Sequence, residues 1–321
     1  MAEEKENHNG PIYSNIAYDD AFRTMEGNCD DVLISFVNYI FDEKYNNTAV
    51  VTRMRNEHFI EHENHPQEKR VTDSHFSITQ GDVCKKYHLE CESKPYDGSI
   101  LVRLFEYGSQ IAIEEAEETN YLLRVKMPHT GLLLLRESKK APEKATIIIE
   151  TPGQSSRYYV PIIKETDFTV DMIFEKQLYM LIPFYIFNYE KELDAINEDE
   201  KRIENMLELY RDINTRLLKE QEEGRLSANS ISVIIGVTHS VFSKLTSKQT
   251  VLNEKVGDYM GGKVLDPPWV IAYNKGKEEG KEEAIADMLR RGKTVSEIVE
   301  FCNYPEDFVR KIEESLKITT V

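Results

Sequence analysis

Arg70–Lys94 reads RVTDSHFSITQGDVCKKYHLECESK, and the architecture turns on this stretch. Two strand-like runs flank Gly81-Asp82, a dipeptide suited to a two-residue hairpin turn. Side chains alternate between the faces of a strand. Phe76 and Ile78 therefore share one face, and Val71, Asp73 and His75 share the other. In the second run Tyr87, Leu89 and Cys91 share a face, while His88, Glu90, Glu92 and Lys94 take the opposite one. The expected hairpin has one apolar face and one face studded with ionisable groups.

If Gly81-Asp82 is the loop, Gln80 pairs with Val83, and every pair of residue numbers sums to 163. His75 then stands opposite His88, and Asp73 stands opposite Glu90. Directly opposed Cβ atoms are roughly 4.5–5.5 Å apart, and like charges so placed repel. A bound divalent cation reverses that sign, because Mg²⁺ and Mn²⁺ prefer oxygen ligands. Acidic residues on a strand also make an ordinary solvated face, and Glu-x-Glu alone does not separate the two readings. A one-residue slip would put one carboxylate on the apolar face.

Outward from the hairpin, Tyr18–Phe41 reads as a helix with Phe22, Met25, Val32, Leu33, Phe36, Val37, Ile40 and Phe41 on its apolar face. Val50–Ile60 is strand-like, with Arg53, Arg55 and Glu57 on one face. Ser99–Glu118 reads as an amphipathic helix with Leu101, Leu104, Phe105, Gly108, Ile111 and Ala112 toward the core. Leu132–Arg136, Ala145–Glu150 and Arg157–Ile163 read as strands, the last two separated by a turn at Pro152-Gly153-Gln154. From Val170 onward the pattern is helical. The front half therefore predicts an α/β fold, a mixed sheet with helices on its faces.

The chain has 321 residues and a net charge of −17, from 57 Asp and Glu against 40 Lys and Arg. A simple cationic coat for nucleic acid or membrane is not expected, so DNA contact would need a local basic patch or a divalent metal. The longest apolar run, Leu178–Phe187, is about half a membrane span and contains Pro183. No membrane association is expected. The first ten residues are acidic and polar, without a secretory pattern. Four scattered cysteines (Cys29, Cys84, Cys91 and Cys302) with no CxxC pair point to reduced thiols and a cytoplasmic protein.

Three stretches carry a family resemblance: YDDAFRTM (Tyr18–Met25) followed by NEHF (Asn56–Phe59); TDSHFSI with YHLECESKPYDGSILVRLFEY (Thr72–Ile78, Tyr87–Tyr107); and MGGKVL with NKGKEEGKEE (Met260–Leu265, Asn274–Glu283). Together they resemble the recombination-promoting nuclease (Rpn) and transposase family within the PD-(D/E)XK nuclease superfamily. The resemblance implies a restriction-endonuclease-like mixed sheet flanked by helices, with a helical C-terminal region. It implies divalent-metal-dependent DNA cleavage, with a link to recombination or a mobile element. It makes Asp73 and Glu90 metal ligands for Mg²⁺ or Mn²⁺, with the Cys91 backbone carbonyl as a third. The position two residues after Glu90, usually Lys or Gln, is Glu92 here, which departs from the pattern. Glu92 would serve as a base, bind a second metal, or mark a weakened site. Lys94 on the same face offers a shifted match, although Glu92 would then stand opposite Val71.

The remaining candidates are weaker. Glu57 could complete the acidic cluster or be plain surface charge. His75 and His88 beside the acids could titrate or act as a base, or simply pack at the hairpin end. Arg103 and Gln110, seven apart on one helix face, are candidate DNA contacts, as are Arg53 and Arg55. Arg124, Lys126, Arg136, Lys139 and Lys140 extend the candidate basic surface. His58, His62 and His65 have no cysteine partner and fall short of the roughly four ligands of a zinc site. Residues 13–190 are expected to form the nuclease-like core, 191–273 a helical extension, and 274–321 a charged linker helix and a small helical unit. The last helix, Pro305–Ser315, is too acidic for a DNA reader, so this unit is expected to serve self-association, as in a homodimer, or to bind a partner. A nuclease-fold module that binds a protein or DNA without cutting is the alternative reading.

Overall fold

The computed structural model describes residues 18–54, the backbone of 57–60 and 68–71, residues 74–114, 116–136 and 141–261, and isolated positions between 285 and 313. The chain forms two compact units, 1–262 and 263–321.

The first unit begins with α1 (Tyr18–Asn28) and α2 (Asp30–Phe41). These replace the single helix expected over Tyr18–Phe41. The chain leaves helical geometry at Cys29 (φ −128°, ψ 80°), and Asp30 and Asp31 open a new first turn, where acidic side chains favour the helix dipole. Then come β1 (Val50–Arg53), β2 (Glu57–Ile60), β3 (Glu68–Val71), β4 (Ser74–Gln80) and β5 (Val83–Glu92). The strand expected over Val50–Ile60 is thus two strands in different sheets. β1 pairs with β4, whereas among the described residues β2 pairs only with β3.

α3 (Ile100–Glu114) follows, shorter than the expected Ser99–Glu118 because Glu117–Thr119 is a strand, β6, paired with β7 (Leu122–Arg124). β8 (His129–Leu134), β9 (Lys144–Thr151) and β10 (Gln154–Lys164) complete a six-stranded mixed sheet of order β1-β4-β5-β8-β10-β9. β5, β8 and β10 run parallel, and the outer pairings are antiparallel. The fold is mixed α/β with helices against the sheet, as the alternation predicts.

One face of the sheet presents Phe76, Ile78, Tyr87, Leu89 and Cys91 to α1 and α2. Phe76 and Tyr87 stack at 5.5 Å between ring centroids, and a buried aromatic of this kind contributes on the order of 2–3 kcal/mol. The other face, with Leu132, Leu134, Val160 and Ile162, takes Ile100 and Leu104 of α3. The chain continues through α4 (Val170–Glu175), a 3-10 helix (Tyr179–Glu192) holding Pro183, α5 (Leu193–Asn197), α6 (Glu200–Glu222), α7 (Ala228–Leu245) and α8 (Thr250–Gly261). The helices after residue 190 share one apolar core with α1 and α2. Asp31 of α2 accepts from the Ser227 N–H at 2.7 Å and the Ser230 hydroxyl at 2.5 Å, fastening the start of α7 to the start of α2.

In the second unit, Ile285, Ala286, Val295, Ile298, Val309 and Ile312 form a separate apolar cluster. The break at Leu265–Pro268 and the KGKEEGKEE stretch lie outside the described residues. Among the described residues no helix is long and apolar enough to cross a membrane.

Candidate functional site

The β4–β5 hairpin pairs in the register expected from its turn. Gln80 faces Val83, His75 faces His88, and the last described pair is Ser74 with Leu89. Gly81 at the turn has φ +59°, which glycine adopts without steric cost. Asp73, which precedes Ser74 in the sequence, lies outside the described residues.

Period-2 alternation sends Leu89 and Cys91 into the α1–α2 core and turns His88, Glu90 and Glu92 toward α3. His88 is fully buried, its ring edge-on to Tyr107 of α3 at 6.0 Å. Its Nε2 lies 3.1 Å from Glu90 Oε1. Glu90 is only 2 % exposed, an unfavourable place for a carboxylate without charged or hydrogen-bonding partners. Arg103 of α3 supplies one, with Nη2 3.4 Å from Glu90 Oε2 and 3.0 Å from Glu92 Oε2. Glu92 Oε1 accepts the Lys94 N–H at 2.9 Å, so this carboxylate also shapes the chain as it leaves the strand.

Glu90, Glu92 and Arg103 line a polar cleft of about 190 Å³ with Asp19 and Arg23 of α1, Cys91, Ser93, Lys94 and Tyr107. It opens at the carboxyl end of β5, next to the parallel neighbour β8, a usual place for ligands in α/β sheets. Burial raises the Asp19 carboxyl above its ordinary value. Arg23 and Arg103 pull it down, and Glu92 pushes it up. Asp19 and Arg23 were not among the residues proposed from sequence. The signal was present: they are four apart, hence on one helix face, inside the YDDAFRTM stretch.

Several expected cations are committed to structural contacts. Arg53 donates to the Glu26 carbonyl at 3.0 and 2.5 Å and to Asp30 at 2.5 Å. Arg136 donates to Glu190 at 2.7 Å and to the Ser93 carbonyl, its guanidinium 4.9 Å from the Phe187 ring centroid. Arg124 and Lys126 both pair with Glu117, at 2.9 and 2.7 Å. The basic surface expected from these residues is thus largely neutralised by carboxylates. Gln110 lies 3.4 Å from Glu114 on its own helix. Arg55, Lys139, Lys140, His62 and His65 and the side chains of Glu57 and His58 lie outside the described residues.

Carboxylate oxygens and a strand carbonyl are the donors a hard divalent cation takes, so the chemistry of Glu90, Glu92 and the Cys91 carbonyl suits Mg²⁺ or Mn²⁺. Among the described residues no three His, Cys, Asp or Glu side chains are placed to hold a metal. The expected ligand set would need Asp73. The chain matches no protein-family model, no curated protein and no solved structure.

Proposed function

We propose that this protein is a divalent-metal-dependent DNA endonuclease of the PD-(D/E)XK type, related to the Rpn family. The observation that carries the reading is the convergence of Glu90, Glu92 and Arg103 in a polar cleft at the end of β5. Asp73, Glu90 and the Cys91 carbonyl would hold Mg²⁺ or Mn²⁺, which when bound supplies a Lewis acid and an acidified water. The chain's own part is positional. His88 orients Glu90 through its Nε2 contact, and Arg103, held beside both carboxylates, would lend positive charge to a bound phosphate. Lys94 at the rim adds a second cation, and Glu92 stands where it could accept a proton from water. A cytoplasmic location and a role in recombination or a mobile element belong to the same reading. The described cysteines, Cys29, Cys84 and Cys91, are free thiols.

One observation favours a second reading. Arg103 already balances both carboxylates, so the cleft is electrostatically tolerable without a metal, as a module that binds without cutting would require.

Plasmid nicking with Mg²⁺, Mn²⁺ or EDTA separates the two. The nuclease cuts only with metal, and Asp73→Ala and Glu90→Ala abolish cutting. Glu92→Gln raises the rate if the departure weakens the site. A protein that cuts with no metal and in no variant is the binding module.

A further inference from the structure

We infer that β9 is a dimerisation edge, at which two copies of this chain join antiparallel and their two sheets continue into one. β9 closes the sheet at one side and, among the described residues, pairs only with β10. Edge strands are commonly kept short, charged, proline-broken or covered. The opposite edge follows that rule. β1 is four residues long, and its Arg53 is tied back to Glu26 and Asp30. β9 does not follow it. It runs eight residues, and Ala-Thr-Ile-Ile-Ile (Ala145–Ile149) contains neither charge nor proline.

The faces of β9 decide the register. Lys144, Thr146, Ile148 and Glu150 are exposed, Ile148 by 53 %, whereas Ala145 and Ile147 pack with the cluster that includes Leu104 of α3. Directly opposed residues in an antiparallel pair share a face, so the exposed face continues across the junction only if even-numbered residues meet even-numbered ones. A two-fold axis at Ile147 satisfies this condition. It sets Lys144 of each copy opposite Glu150 of the other, and Thr146 opposite Ile148. A two-fold axis one residue to either side loses both ion pairs. The edge is thus self-complementary in charge, and its charges sit at the two ends of the uncharged run. Lys144 Nζ lies 4.7 Å from the Tyr159 ring centroid, which holds the ammonium over this same face. A closed two-fold pairing uses up both β9 edges and leaves none for further growth.

The inference does not depend on the nuclease reading. Its test is sedimentation equilibrium of the full chain over a concentration series. Wild type is expected to form a reversible dimer. Lys144→Glu and Glu150→Lys each place like charges across the junction and weaken the dimer about tenfold or more. The double swap restores the wild-type constant, and Ile148→Lys, at an exposed position, abolishes dimerisation while melting as wild type does at concentrations where wild type is monomeric. A monomer at every concentration overturns the inference. So does a dimer indifferent to all four variants, which would move the interface elsewhere, such as to the C-terminal helices.

Discussion

The Arg103 guanidinium donates to Glu92 Oε2 at 3.0 Å, joining α3 to the end of β5. Glu92 is thus the residue that holds a cation beside Glu90. Arg103→Ala leaves the buried Glu90 next to Glu92 without that cation. Because Arg103 is 39 % exposed on its side chain, solvent screens part of the loss. A destabilisation of about 1–3 kcal/mol is expected in urea denaturation. On the nuclease reading the same variant binds Mn²⁺ more tightly by calorimetry, since metal and guanidinium compete for the same oxygens. Unchanged or weaker Mn²⁺ binding would count against a metal at Glu90.

Glu26 is buried beside Arg53 (Oε1 to Nε, 3.6 Å). Burial raises its carboxyl to about 7 from an ordinary 4.5, although Arg53 and Ser74 pull it down. The folded state therefore keeps this proton at pH values where the unfolded chain has lost it. The resulting stability is fully present below pH 4.5 and is lost as pH rises through 7. Glu26→Gln removes this pH dependence, and its urea midpoint at pH 8 exceeds that of wild type, by up to a few kcal/mol expressed as ΔG. Parallel midpoints for the two proteins from pH 5 to pH 8 would refute it.

Gly131 of β8 pairs with Leu89 of β5 beneath α2. A Cβ there would lie 2.7 Å from Ile40 Cδ1, 3.0 Å from Leu89 Cδ2 and 3.2 Å from Phe41 Cζ. All three neighbours belong to a packed core, so Gly131→Ala costs about 1–3 kcal/mol. Gly81→Ala, whose Cβ meets nothing within 4 Å, is strained only through its φ of +59°. Chemical denaturation of the two variants compares overpacking with backbone strain.

Arg136 joins the end of β8 to the 3-10 helix through Glu190 and to the chain after β5 through the Ser93 carbonyl. Lysine cannot reproduce the fork or the stacking over Phe187. Arg136→Lys is expected to lower stability by about 1–2 kcal/mol in a thermal melt. A melt identical to wild type would mean that the fork contributes nothing beyond its charge.

Much of the site was legible in Arg70–Lys94. A two-residue turn and period-2 alternation are local, so the hairpin register and the division of β5 into Leu89 and Cys91 against His88, Glu90 and Glu92 follow from neighbouring residues alone. Helical spacing likewise put Arg103 on a polar face. Helix ends were less legible. The break at Cys29 occurs inside a pattern whose apolar spacing continues beyond it, and the stop at Glu114 precedes residues that β6 takes up. Tertiary structure alone decided which charges meet. Asp19 and Arg23 reach the cleft because α1 packs across the sheet, and Arg136 is neutralised by a glutamate 54 residues away. Turn chemistry and side-chain alternation act over a few residues and are written in sequence order. Ion pairing acts through space, so whether a given arginine is a ligand for phosphate or a structural tie depends on how the helices close over the sheet.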